Sequence, residues 1–436
     1  MPALPAKRFG PLGLGLLIVL VLGVHAWMLG SYPNPRLWGD EPMYVQNAAS
    51  DALLGETSLL PGNLPFRTRP EFSARLYSNF EQGPGLLRSV SLLHMLLLAL
   101  TLAMLYGQAR LLGLRPAFAL LASALLGAFP WFGFHVHSLW PEVLHAFFVA
   151  AAVLGILAAM QRGRLLYLLP AGISLALALF TKGVMQPFVF LFAGLLAVRF
   201  WQRARAAGQG RAWVPALLAP LVLLGSTYAV LAPQLIANHQ AGHGARIAAN
   251  RWWNLELGLC AEPREGRSVG SLQTAYFAAS PDDAERERLA RERTLKFVAE
   301  VGPWKLVRGQ WSKFQRLLFQ HESSMERSLG KMQRWGPEPP ALLSGLAGLG
   351  RGMWYALFSL GGIGALLLWR RDSGWFLISS FSLAFLLAAF LVPLKVRFLL
   401  PLIPFLCLLS AGALQLLWTR LRSKEVAQEP PASLPH

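Results

Sequence analysis

The stretch Trp38-Gly39-Asp40-Glu41-Pro42-Met43-Tyr44 puts two adjacent carboxylates directly after the first long apolar run of the chain. Acids at the exit of a membrane span are poor anchors and poor lipid-facing groups, which makes the pair a candidate site. Helix initiation is the plainer reading, with Asp40 as N-cap and Pro42 in the first turn, and the two readings are compatible. Lys182 lies in the turn Phe180-Thr181-Lys182-Gly183, and Lys395 and Arg397 lie in Pro393-Leu394-Lys395-Val396-Arg397; both turns join apolar runs and are very short. Cations held at headgroup depth are costly unless paired, so each needs a phosphate or an internal carboxylate, or else snorkels to lipid headgroups. A carboxylate that takes a proton from an attacking hydroxyl, with cations that stabilise a departing phosphate, is the equipment of a transferase using a lipid-phosphate-linked sugar.

These residues must be positioned by membrane helices. Hydrophobic residues make up 54% of the chain and charged ones 14%, and the apolar residues fall into about ten runs long enough to span a bilayer. The runs are 12–30, 86–107, 116–134, 141–160, 165–181, 184–200, 213–236, 352–369, 374–393 and 398–418. The expected fold is an all-α polytopic membrane protein with two external loops carrying juxtamembrane helices. A net charge of +18 would suit nucleic acid, but the basic residues cluster in alternate short loops, the pattern of a cytoplasmic face. No nucleic-acid partner is expected. Threading the runs puts both termini on that face, with the first span an uncleaved signal anchor.

The resulting organisation is a cytoplasmic start and first span over 1–30, a first external loop with the acid motif over 31–85, and spans two to seven over 86–236. A large external loop follows over 237–351, then the last three spans over 352–418 and a cytoplasmic tail over 419–436. In the first loop a helix is expected over 42–54, stopped by Gly55. In the large loop a charged helix is expected over 282–300, followed after Gly302-Pro303 by an amphipathic one. Its Trp304, Val307, Trp311, Phe314 and Leu318 recur on one face, with Lys305, Arg308, Lys313 and Arg316 on the other. That pattern suits a helix lying in the bilayer interface, or equally one packed on neighbouring spans.

His135, His137 and His145 flank Glu142, and His135 and His137 with Glu142 offer a weak divalent-metal alternative against a polar lining; no cofactor is otherwise expected. His25 and His94 stand alone within spans and read as satisfied interior groups. Asn250 and Trp253 are candidates for a sugar platform, because aromatic faces stack on sugars, with interfacial anchoring the alternative for the tryptophan.

In order along the chain, Asp40-Glu41-Pro42-x-Tyr44, Trp140-Pro141-Glu142, Leu179-Phe180-Thr181-Lys182-Gly183, the segment 250–258, the helical region 293–317 and Arg397-Phe398-Leu399-Leu400-Pro401 resemble the membrane glycosyltransferases with the C-type (GT-C) fold. The protein O-mannosyltransferases and lipid A aminoarabinose transferases are the nearest groups in that resemblance, which covers most of the chain. It implies inverting transfer from a polyprenyl-phosphate sugar, with Asp40 as general base or acceptor-positioning acid and Glu41 orienting the acceptor or capping its helix. It further implies that Glu142, with Tyr44 of the acid motif, holds a basic residue or the substrate. Lys182 and Arg397 would be ligands of the donor phosphate, with Lys395 and Arg246 as weaker candidates. Where many relatives carry a basic residue before a Pro-Pro turn, this chain has Glu81-Gln82-Gly83-Pro84-Gly85, so the donor sugar is not inherited from them.

The expected activity is therefore transfer of a hexose or pentose from an undecaprenyl-phosphate donor to a glycolipid, glycan or protein hydroxyl at the periplasmic face of a bacterial inner membrane. A lipid-linked polysaccharide ligase or polymerase shares the donor class and is one alternative. A secondary transporter is the other, and would show paired halves with broken helices and acids at mid-membrane; the sequence shows neither.

Overall fold

A computed structural model describes residues 9–32, 37, 41–54, 72–80, 85–208, 210–240, 244–245, 247, 251–260, 272, 276, 278–280, 283–320, 325–326, 341–391 and 396–428, and among these there is no strand. The first span is α1 (Phe9–Ser31), followed in the first loop by α2 (Glu41–Leu54) and α3 (Phe72–Tyr77). The central helices are α4 (Leu86–Leu111), α5 (Pro116–Gly127), α6 (Pro130–Val136), α7 (Glu142–Arg162), α8 (Leu168–Thr181), α9 (Gln186–Ala206) and α10 (Trp213–Gln240). The large loop holds α11 (Arg251–Cys260), α12 (Asp283–Val301) and α13 (Pro303–Gln315). The chain ends on α14 (Ala341–Leu368), α15 (Ser373–Phe390) and α16 (Ile403–Gln428), the last preceded by a 3₁₀ segment, Val396–Leu402.

Over their described residues the ten expected runs are largely helical, but they are not ten equal spans. Among the described residues seven helices are long and apolar enough to cross a bilayer, or eight when the bent pair α5 and α6 counts as one. The expected span 116–134 turns by 61° between these two helices. Pro130 is the cause: it supplies no N–H to the preceding turn, and it pushes Phe129 into an extended conformation (φ −79°, ψ 105°). The expected spans 165–181 and 374–393 are shorter apolar helices, Leu165–Thr181 and Ser373–Ala389.

The most buried of the long helices are α7 and α16, and α1 is the most exposed. Helix α7 packs on α4 and α8, α8 on α10, and α16 on α14 and α5. Polar side chains tie these apolar surfaces at fixed heights: Gln108 Nε2 of α4 donates to the Ala150 carbonyl of α7 at 2.7 Å, and Trp131 Nε1 of α6 to the Ala347 carbonyl of α14 at 3.2 Å. Close approach of α8 to α10 requires Gly172, where a Cβ would meet Ser226 Oγ at 1.9 Å and the Leu223 carbonyl oxygen at 2.7 Å.

The large loop has its own core of Trp253, Leu257, Cys260, Leu272, Tyr276, Ala290 and Phe297. Beside it α13 turns Leu306 inward and leaves Trp304, Val307 and Trp311 exposed, an apolar face that the described residues do not cover. The expected basic face is only partly formed. Lys305 and Arg308 are exposed, but Lys313 is buried and donates to the Gly258 carbonyl at 3.0 Å, fastening α13 to α11.

Candidate functional site

Glu142 opens α7 after a buried turn, His137–Pro141, which follows the bend at Pro130. Its carboxylate collects side chains from two distant segments. Lys182, in extended backbone between α8 and the next 3₁₀ turn, places Nζ 2.7 Å from Glu142 Oε1. Arg397, at the start of the 3₁₀ segment that leads into α16, places Nε 3.8 Å from the same oxygen. Its guanidinium carbon lies 4.4 Å from the Trp140 ring centre, and Phe398 adds a second aromatic face 5.2 Å from Lys182 Nζ. Stacking and ion pairing together fix both cations where free snorkelling would leave them mobile. Two expected phosphate ligands and the family-like acid thus converge, through residues separated by 40 and by 255 positions in the chain.

The site has unmet hydrogen-bonding capacity. Glu142 Oε2 and both ring nitrogens of His145, one helical turn further along α7, are buried with no hydrogen-bond partner. Buried polar atoms in native proteins almost always bond to something, so this corner fits water or the hydroxyls of a bound ligand.

Two elements hold the turn that carries Trp140 and Glu142, α2 through Glu41 and α1 through His25, and a tyrosine–histidine contact joins α3 to α4 nearby. Glu41, in the first turn of α2 and fully buried, accepts a hydrogen bond from the Leu139 backbone N–H at 3.0 Å. His25 of α1 and His137 share a hydrogen bond of 2.9 Å between Nδ1 and Nε2. Tyr77 of α3 meets His94 Nε2 of α4 at 3.2 Å through its hydroxyl. Burial, reinforced by Tyr44 and the carboxylates of Glu142 and Glu41, pushes the Tyr77 phenol well above its ordinary range and keeps it protonated. Tyr44 itself is half-buried and packs against Ala48, Tyr77 and their neighbours.

Asp40, Lys395, Arg246 and Asn250 lie outside the described residues. Glu41 is described, and it reaches across to the turn before α7. The metal alternative is not assembled: His137 is engaged by His25, the His135 ring lies against Trp140 at 5.2 Å, and among the described residues no group of three or more His, Cys, Asp or Glu is placed to hold an ion. Trp253 departs from the expected sugar platform. It is 7% exposed and stacks on Tyr276 at 5.2 Å and 22°, so its ring belongs to the core of the large loop.

Glu256 and Glu287 lie in the segments 250–258 and 282–300, but no signal in the sequence marks what they bind. Arg293 binds Glu256 through two hydrogen bonds of 2.6 and 2.9 Å, and Glu287 accepts from Trp252 N, Trp253 N and the Tyr276 hydroxyl. These contacts join α11 to α12 and build the loop. Their pairing has no sequence signature, because the partners are far beyond the i, i+4 spacing that marks helical pairs.

Residues 81–233 match the family model of dolichyl-phosphate-mannose-protein mannosyltransferase. Among curated proteins no match is found. Among solved structures, the Archaeoglobus fulgidus oligosaccharyltransferase in complex with Zn and sulfate superposes with a TM-score of 0.51 at 17% identity, over 94% of this chain and 50% of that one. The A. fulgidus oligosaccharyltransferase AglB, bound to an inhibitory peptide and a dolichol-phosphate, gives 0.49 at 15% identity over 98% and 53%. ArnT from Cupriavidus metallidurans bound to undecaprenyl phosphate gives 0.34 at 15% identity over 98% and 82%. The chain spans about half the length of the oligosaccharyltransferases it matches. It is a multi-pass membrane protein with the C-type glycosyltransferase fold, and its residues 81–233 are similar to the dolichyl-phosphate-mannose-protein mannosyltransferase family model.

Proposed function

We propose that this protein is an inverting glycosyltransferase that moves a sugar from a polyprenyl-phosphate donor to a hydroxyl of an envelope glycolipid, glycan or protein, at the face of the membrane where α7 begins. The observation that carries this reading is the convergence of Lys182 and Arg397 on Glu142. Both cations sit where a membrane-embedded phosphate would arrive, and each holds its place by ion pair and aromatic contact. Departure of the polyprenyl phosphate develops negative charge, which fixed cations stabilise without reorganising. The matched family is itself named for a lipid-phosphate-linked sugar donor, which supports the donor class.

In this scheme Asp40, one residue before α2, takes the proton from the acceptor hydroxyl as that oxygen attacks the anomeric carbon. The bond to phosphate breaks, and the anionic lipid phosphate leaves against Lys182 and Arg397. Glu142 Oε2 and His145 are free to bond sugar hydroxyls. Glu41 anchors the Leu139 turn, so the acid pair divides its labour, with Asp40 for chemistry and Glu41 for placement. An undecaprenyl carrier and the periplasmic face of a bacterial inner membrane are the forms of this reading that the basic-loop pattern favours.

The test is a comparison of envelope glycolipids and glycoproteins by mass spectrometry from cells carrying the wild-type chain or Asp40→Asn. A hexose, pentose or amino-sugar increment should vanish or fall by about 10²- to 10⁴-fold in the variant. Identical glycoconjugate profiles in the two strains would contradict the assignment.

A further inference from the structure

At the opposite end of the bundle, about 30 Å from Arg397 by the rise of its helix, α16 carries a second cationic structure that the transfer reaction does not use. Trp418 is half-buried, and two guanidinium groups stand over its indole: Arg115 at 4.6 Å and Arg422 at 4.3 Å from the ring centre. They come from different elements. Arg115 precedes the first turn of α5, where its backbone N–H donates to Gln415 Oε1 of α16 at 2.7 Å, and Phe118 of α5 meets Trp418 edge-on at 5.9 Å. Arg422 lies one turn beyond Trp418 on α16. Both arginines are exposed, and neither makes an ion pair with a carboxylate among the described residues.

Guanidinium carbons 4.6 and 4.3 Å from one ring centre are like charges held near each other, and an anion reached by both would relieve their repulsion. The surroundings identify what kind. Leu417 and Leu421, 54% and 56% exposed, lie on α16 beside Trp418 and Arg422. A ligand that fits has a phosphate for the guanidiniums and an acyl chain for the leucines. Single arginine–aromatic pairs line the same end of the bundle, Arg205 on Trp201 and Arg370 on Trp369, each at 4.8 Å. These are interface anchors of the ordinary sort. The Trp418 cluster differs from these two pairs in having two cations from two helices on one indole, an arrangement that Trp252 in the large loop shares with Arg251 and Arg291 but at 5.4 and 5.7 Å.

We infer that Arg115, Trp418 and Arg422 form a binding site for the headgroup phosphate of an anionic phospholipid, which clasps the start of α5 to the end of α16. An amphiphile fits better than a soluble anion because the leucines continue the site into the hydrocarbon. Occupancy ties the α4–α5 turn to the helix whose other end is preceded by Arg397, so the bound lipid stabilises the bundle away from the transfer site.

The experiment is thermal unfolding of the delipidated full chain in detergent, titrated with phosphatidylglycerol, phosphatidylcholine or inorganic phosphate. Phosphatidylglycerol alone should give a saturable rise in Tm, and Arg115→Gln with Arg422→Gln should move its half-saturation by about tenfold or more. The control pair Arg205→Gln with Arg370→Gln should leave the half-saturation near that of the wild type. Equal rises with phosphatidylcholine or phosphate, an unchanged half-saturation in the first pair, or an equal loss in the control pair would overturn the site. A photoreactive phosphatidylglycerol on the wild-type chain provides a readout independent of variant folding. It should label peptides from 117–121 and 414–421 above those of the other basic loops, and even labelling across all of them would contradict the inference.

Discussion

Glu142 is the residue on which the candidate site turns, because burying a carboxylate in a membrane protein is tolerable only with partners as close as Lys182 and Arg397. Glu142→Gln keeps the shape and loses the charge, leaving two cations facing a neutral amide. Stability in detergent should fall by about 2 to 4 kcal/mol, since Lys182 is partly solvated and recovers some of the loss. Affinity for a polyprenyl phosphate should rise at the same time, as the local potential becomes more positive. Thermal unfolding and lipid-phosphate binding on one preparation would show whether the two move in opposite directions. Glu41 invites a different substitution pair. Glu41→Ala strands the buried Leu139 N–H and should cost about 1 to 3 kcal/mol, whereas Glu41→Gln keeps an acceptor and should restore most of it. Equal stability of the two variants would remove the anchoring role. Lys182 and Arg397 were legible in sequence because lysine and arginine inside a two- to four-residue turn between apolar runs break the rule for that side. The hydrogen bond between His25 and His137 was not, since no local spacing relates residues 112 positions apart.

At the scale of elements, the apolar runs announced the helices and Pro130 carried the one signal that was passed over. A run of the right length for a span, 116–134, conceals a bend because apolar composition is indifferent to direction, while the missing N–H of proline is not. The bend matters for function: it turns the chain into the buried turn that presents Trp140 and Glu142. The spacing in α13 announces an apolar face but not the burial of Lys313, because only the tertiary contact with Gly258 decides which basic residue turns inward. Packing between helices makes its own demand. Gly172→Val would place carbon atoms in the space of Ser226 and the Leu223 carbonyl, forcing α8 from α10, and should lower Tm far more than the same change at Gly225, where a Cβ meets nothing. Similar Tm values for the two variants would show that the helices do not approach so closely.

For the whole molecule, the positive-inside pattern assigns Glu142 and the large loop to one face and the ends of α7, α9 and α16 to the other. Single cysteines at exposed Ala284 and Arg205 should therefore differ in intact cells, the first reacting with a membrane-impermeant maleimide and the second only after lysis; both native cysteines are buried. Reaction at both sites, or only at 205, would invert the topology. The fold was recoverable from patterns of length, charge and motif order, but the convergence of two distant segments on Glu142 is a property of the packed bundle. That convergence is what the functional account rests on, and binding of undecaprenyl phosphate to the purified full chain tests it most directly. The account predicts that undecaprenyl phosphate binds at least about tenfold more tightly than undecaprenol, and that Lys182→Met or Arg397→Met removes most of the difference while the protein stays folded. Equal affinity for the phosphate and the alcohol, or full phosphate preference in both variants, would contradict it.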